Sequence, residues 1–94
     1  MNTLTPLFYL GQVVATPGAL VALSVAGQTP LGFLARHVSG DWGEVDPIDA
    51  AGNTMALING YRLMSDYSLS NGTKLWVITE ADRSSTCLLL PEEY

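Results

Sequence analysis

The chain has 94 residues, a length that suits one domain spanning Met1–Tyr94 and leaves no room for two. Charged side chains make up 14% of it, against about 25% in an average soluble domain, and nine acids outnumber four basic residues for a net charge of −5. So few basic groups give phosphates a poor footprint, while the acids are too few and too scattered to mimic a DNA backbone.

A hydrophobic share of 48% suffices for a modest core. With so little charge, much of the surface must be neutral, and a sticky face that docks on a protein partner is expected. Pairing of an exposed edge strand into a homodimer is a second expectation. Cys87 stands alone in T-C-L-L-L, so no intrachain disulfide forms and the thiol reads as a small core hydrophobe. The start lacks a basic region followed by an apolar one, so no secretory signal is expected. Apolar runs are broken well short of the ~20 residues that a membrane span needs. A reducing cytoplasm fits best.

Taken in order, residues 1–35 carry no charged side chain. The segment L-F-Y-L-G-Q-V-V-A, residues 7–15, reads as a strand. Three helix starts then share one grammar: Thr16-Pro17, Thr29-Pro30 and Asp46-Pro47 each set a capping oxygen before a proline that has no N–H to lose. Gly27, Gly40 and Gly60 suit the left-handed exits. These signals predict helices over 17–26, 30–38 and 47–59. The first is expected to bury Leu20, Leu23 and Ala26 or Gly27, with Val21 and Val25 widening the stripe. The second is expected to bury Leu31, Leu34 and Val38, and the third Ile48, Ala51, Met55 and Ile58.

After Gly60 the period changes to two. Y-R-L-M-S-D-Y-S-L and L-W-V-I-T flank Asn71-Gly72, the signature of a two-residue type I′ hairpin. That loop predicts Tyr67 opposite Trp76 and Ser65 opposite Ile78, all on one face with Leu63 and Leu69. T-C-L-L-L is a last strand stopped by Pro91. The order β-ααα-βββ predicts an α+β fold with helices packed on one face of an antiparallel sheet.

Two polar stretches are candidate sites. In R-H-V-S-G-D-W-G-E-V-D-P, Arg36 and His37 sit where cations favour a helix end, Trp42 can cover the helix junction, and Asp41 or Glu44 can pair with Arg36. The sharper alternative makes His37 a general acid or base. The spacing of His37, Asp41, Glu44 and Asp46 matches no metal motif, and no metal or cofactor is expected. No P-loop, G-x-G-x-x-G or G-x-S-x-G is present. The second stretch, I-T-E-A-D-R-S-S-T, gathers Glu80, Asp82, Arg83, Ser84 and Thr86 on a turn after a strand, where functional side chains often collect. Its plain reading is a polar turn, with Asp82 and Ser84 capping local N–H groups and Arg83 pairing with Glu80 or Asp82.

R-H-V-S-G-D-W-G and W-V-I-T-E-A-D-R-S-S-T-C-L-L-L-P-E-E-Y together resemble a family of small uncharacterised proteins carried on bacterial plasmids and integrative elements. The resemblance covers nearly the whole chain and implies a mobile-element accessory role. The restriction-system label that some members bear does not carry over: the chain is too short for a cofactor-binding α/β sheet and lacks its glycine loop. In layout the chain is also similar to the barnase–EndoU–colicin–RelE group of ribonucleases. That likeness implies His37 as acid or base, Arg62 or Arg83 stabilising phosphorane charge, and Thr86, Tyr67 or Ser84 orienting phosphate.

The favoured expectation is a non-enzymatic module that binds a host or element-encoded protein, such as a nuclease or defence complex. Arg36, Asp41, Trp42, Glu44 and Asp46 would form one contact surface, and Glu80, Asp82, Arg83 and Ser84 another. The alternative is a metal-independent ribonuclease using His37, Arg62, Arg83 and Thr86, the only reading under which nucleic acid is a partner. No membrane partner is expected.

Overall fold

A computed structural model describes residues 6–94. The helices occupy the predicted spans: α1 is Pro17–Ala26, α2 is Pro30–Val38 and α3 is Pro47–Asn59. Thr16 Oγ1 accepts from the Ala19 N–H at 3.1 Å and Asp46 Oδ1 from the Asp49 N–H at 2.8 Å, while Thr29 makes no side-chain capping bond. No single helix among the described residues is long and apolar enough to cross a membrane.

The strands are β1 (Gln12–Ala15), β2 (Leu63–Ser68), β3 (Lys74–Thr79) and β4 (Ser85–Leu89), in the spatial order β1-β4-β3-β2. The fold is α+β, with three helices between the first strand and the rest. β2, β3 and β4 form an antiparallel meander, and β1 joins the β4 edge in parallel. A parallel neighbour needs a long crossover, which the helices supply. β1 is shorter than the predicted strand: Gly11 takes φ of +65°, which ends the extended run, and Leu7 instead donates its N–H to the Val38 carbonyl at 2.9 Å.

The hairpin register differs from the prediction by one residue. Tyr67 pairs with Leu75, Asp66 with Trp76 and Ser65 with Val77. Of Asn71 and Gly72 only Gly72 has positive φ; the Asn71 side chain instead accepts from the Thr73 N–H at 3.1 Å. Gly72 N–H bonds to the Leu69 carbonyl and Leu69 N–H to the Thr73 carbonyl, which makes a three-residue loop. A one-residue slip flips one strand's side chains relative to the other's. Leu63, Ser65 and Tyr67 therefore share the helix face with Leu75, Val77 and Thr79. Trp76 and Ile78 go to the opposite face, where Tyr94 meets the Trp76 ring edge-on with centroids 5.6 Å apart.

The helix faces also depart from the predicted stripes. α1 buries Ala19 and Leu23, α2 buries Phe33, Leu34 and His37, and α3 buries Asn53 and Ala56. Leu20, Val21, Val25, Leu31, Ile48, Met55 and Ile58 are exposed instead. Small side chains let the helices approach closely, and the two polar ones are buried because each finds partners there. Asn53 is the clearer case: its amide donates to the Met64 carbonyl at 2.7 Å and accepts from the Met64 N–H at 3.1 Å, as a neighbouring strand would.

Asn53 thereby closes one end of the outer edge of β2. The loop after α2 closes the next outward-facing residue, since Asp66 donates to the Trp42 carbonyl at 3.0 Å and accepts from the Glu44 N–H at 2.6 Å. Gly43 lies between these bonds with φ of +75°, and a Cβ there would collide with the Asp66 carbonyl and the Tyr67 ring. Gly52, in α3, has open space around its missing Cβ. Gly43→Ala should therefore cost about 2 kcal/mol or more, and Gly52→Ala should stabilise by about 0.5–1 kcal/mol. Urea unfolding of the two variants checks the opposite signs.

Candidate functional site

His37 lies on the inward side of α2 with no exposed surface. Its Nδ1 is 2.6 Å from Ser65 Oγ on β2, and its Nε2 is 2.9 Å from Thr79 Oγ1 on β3. Thr79 Oγ1 is 2.7 Å from Thr86 Oγ1 on β4, and Thr86 donates to the Leu10 carbonyl at 2.7 Å. A carbonyl only accepts, so the far end of this chain sets the direction of the rest. Thr86 spends its proton on Leu10 and accepts from Thr79. Thr79 then accepts from His37 Nε2–H, which leaves Nδ1 to accept from Ser65. The ring is a neutral Nε2–H tautomer.

Apolar surroundings hold it neutral. Phe8 meets the imidazole edge-on at 5.2 Å between centroids and Trp42 at 5.7 Å. Burial, and secondarily the nearby Arg83 charge, lower the His37 pKa to about 4. Thr86 is as deeply buried as His37. The catalytic set of the ribonuclease reading is thus not gathered around an open cleft: imidazole and hydroxyl face each other through Thr79 inside the core.

The two arginines of that set are occupied on separate tasks. Arg62 donates to Tyr94 Oη at 2.7 Å and forms an ion pair with Glu80 at 3.4 Å. Arg83 does not pair with Glu80 or Asp82. Its guanidinium donates to the carbonyls of Tyr61, Glu80, Ala81 and Ala56, joining the turn to the C-terminal end of α3, where a cation is favoured. These bonds hold Arg83 in the left-handed region, φ of 61°, which costs a side-chain-bearing residue about 1–2 kcal/mol.

The residues expected to form contact surfaces take part in local structure while staying at the surface. Arg36 and Asp41 make an ion pair at 2.7 Å, which lowers the carboxyl pKa, and the guanidinium lies 4.5 Å from the centroid of the Tyr67 ring. Tyr67 Oη donates to the Asp41 carbonyl at 2.6 Å, and burial pushes its pKa up to about 12. Glu44 binds Lys74 and Ser68, Asp46 caps α3, and Asp82 accepts from the Ser84 N–H. Trp42 is half-buried against Phe8 and His37.

The structure also leaves large apolar side chains in solvent. Val25 and Leu31 are each 74% exposed and Ile48 83%. Sequence reasoning placed these side chains in the core, because a helix with apolar residues on several faces gives periodicity no way to choose among them. The missed signal is the small or polar partner on each true inner face: Ala19 beside Leu23, His37 beside Phe33 and Leu34, Ala56 beside Asn53.

The histidine gives a pH test. Unfolded, His37 takes up a proton below about 6.5, whereas the folded chain does so only below about 4. Stability is therefore complete above 6.5 and declines as pH falls from 6.5 to 4, by about 3 kcal/mol in all. The lowered carboxyl groups of Glu44 and Glu93 add to the loss only from about pH 4.5 downward, at the bottom of that window, and those of Asp41 and Asp82 below it. Urea unfolding between pH 7.5 and 4.5 should show this loss in the wild type. His37→Gln should be less stable at pH 7.5 and nearly flat across the window.

Comparison of the chain with protein-family models, curated proteins and solved structures returns no match.

Proposed function

We propose that the protein is a non-enzymatic binding module that docks on another protein through the neutral surface of its helices. One observation carries this reading: α1, α2 and α3 hold large apolar side chains in solvent, while almost every ionisable group is tied into the fold. Leaving Val21, Val25, Leu31 and Ile48 in water is unfavourable by about 25 cal/mol per Å² of apolar surface, and a partner relieves that cost. The family resemblance of the two sequence motifs adds a host or element-encoded protein as the partner, met in a reducing cytoplasm where Cys87 stays a thiol. The shoulder around Arg36–Glu44 and the turn around Glu80–Ser84 act mainly as scaffolding in this reading.

The ribonuclease alternative has no comparable support, since His37 and Thr86 lie where a phosphodiester has no route to them. The test compares affinity purification from the native host using wild type, His37→Gln and the double variant Val21→Lys/Val25→Lys. A stoichiometric protein partner should co-elute with the first two and be lost from the third. RNA cleavage by the wild type that disappears in His37→Gln would contradict the proposal, as would a partner retained by the double lysine variant.

A further inference from the structure

The two edges of the sheet are treated differently. The outer edge of β2 is closed at Met64 by the Asn53 amide and at Asp66 by the 42–44 loop. On β1, Gln12 donates to the Ser84 carbonyl and Thr16 to the Leu88 carbonyl, so the even-numbered residues face β4. Val13 and Ala15 therefore turn both N–H and C=O outward, and among the described residues nothing bonds to them. Among the described residues the edge carries none of the usual protections: no lysine, no proline within the strand, no bulge and no loop bonded across it.

We propose that this edge pairs with the same edge of a second copy, in antiparallel fashion about a two-fold axis through Val14. Two outward-facing residues separated by one are self-complementary. Val13 would lie opposite Ala15 of the second copy, and Ala15 opposite its Val13, each pair exchanging both N–H···O bonds. The pairing is self-limiting. Gly11 leaves the extended conformation on one side, and Pro17 has no N–H on the other. The closed β2 edge stops growth beyond a dimer.

Charge selects the second copy as the occupant. A molecule of net charge −5 repels its own kind over most orientations, yet β1 lies within the 35 residues that carry no charged side chain. Val14 would meet Val14 on the axis. Gln12 would face Thr16 of the other copy, whose hydroxyl holds Glu93, so an amide donor approaches that carboxylate instead of a like charge. On the helix side Val13 joins Phe8, Tyr9 and Leu10 around an open apolar hollow of about 570 Å³, which extends the neutral contact. Val13 and Val14 are each 43% exposed in the single chain. The contact is small, so a dissociation constant between about 1 µM and 1 mM is expected.

Sedimentation equilibrium on purified protein tests this without any other partner, so its outcome is separate from that of the docking proposal above. The wild-type mass should rise from monomer to dimer, and no further, across that concentration range. Val14→Lys sets two lysines against each other on the axis. Val13→Pro removes an outward N–H that the β1–β4 ladder does not use. Both should remain monomeric while circular dichroism and tryptophan fluorescence stay as in the wild type. A wild type that is monomeric throughout, or folded variants that both still dimerise, would overturn the proposal.

Discussion

The chain of hydrogen bonds from Ser65 through His37, Thr79 and Thr86 to the Leu10 carbonyl joins α2, all three strands of the meander and the segment that leads into β1. Each member is buried, and a buried hydroxyl or imidazole left unpaired costs about 1–3 kcal/mol. The network is stable only when complete, so it fixes several elements at once. It demands that His37 point inward, which sets the rotation of α2, brings Phe33 and Leu34 against the sheet and sends Leu31 into solvent. It demands that Ser65, Thr79 and Thr86 share one face, which only the observed strand register allows.

The same constraint separates this chain from the chemistry that its composition first suggests. A sole histidine near arginines and hydroxyls invites a catalytic reading, yet here the imidazole is a neutral spacer between two hydroxyls. Arg83 bonds to four carbonyls, and Arg62 to Tyr94 and Glu80. Nearly all the charge is consumed in holding the structure together. The large side chains left in solvent on α1, α2 and α3 are apolar, and among the described residues nothing bonds to the outward backbone groups of Val13 and Ala15.

Helix bounds were legible in the sequence because they are decided locally. A capping oxygen at α1 and α3, a proline that loses no bond and a following glycine act within a few residues of each other, and the three helices begin and end where those residues stand, α2 starting on its proline without a side-chain capping bond. The hairpin register was not legible, because it is decided by docking. Ser70 donates its N–H to the Gln28 side chain and its hydroxyl to the Ala26 carbonyl, and Leu69 is buried. These contacts seat the tip on the end of α1 and favour the longer loop over the type I′ turn that Asn71-Gly72 alone suggests. The buried roles of His37 and Asn53 were equally hidden. Each depends on groups 28 or 11 residues away that no local pattern marks. Of the local ties among the candidate-site residues, the Arg36–Asp41 pair was legible from its spacing, whereas Glu44 with Lys74 and Arg83 with backbone carbonyls depend on tertiary contacts.

His37 is a neutral, enclosed Nε2–H imidazole held by Ser65 and Thr79. Proton–nitrogen correlation spectra of the histidine ring, followed from pH 8 to pH 5, test it most directly. One protonated nitrogen, Nε2, is expected, with shifts that stay nearly constant over that range because burial lowers the pKa to about 4. A ring that titrates near its ordinary value of about 6.5, or that carries its proton on Nδ1, would contradict it.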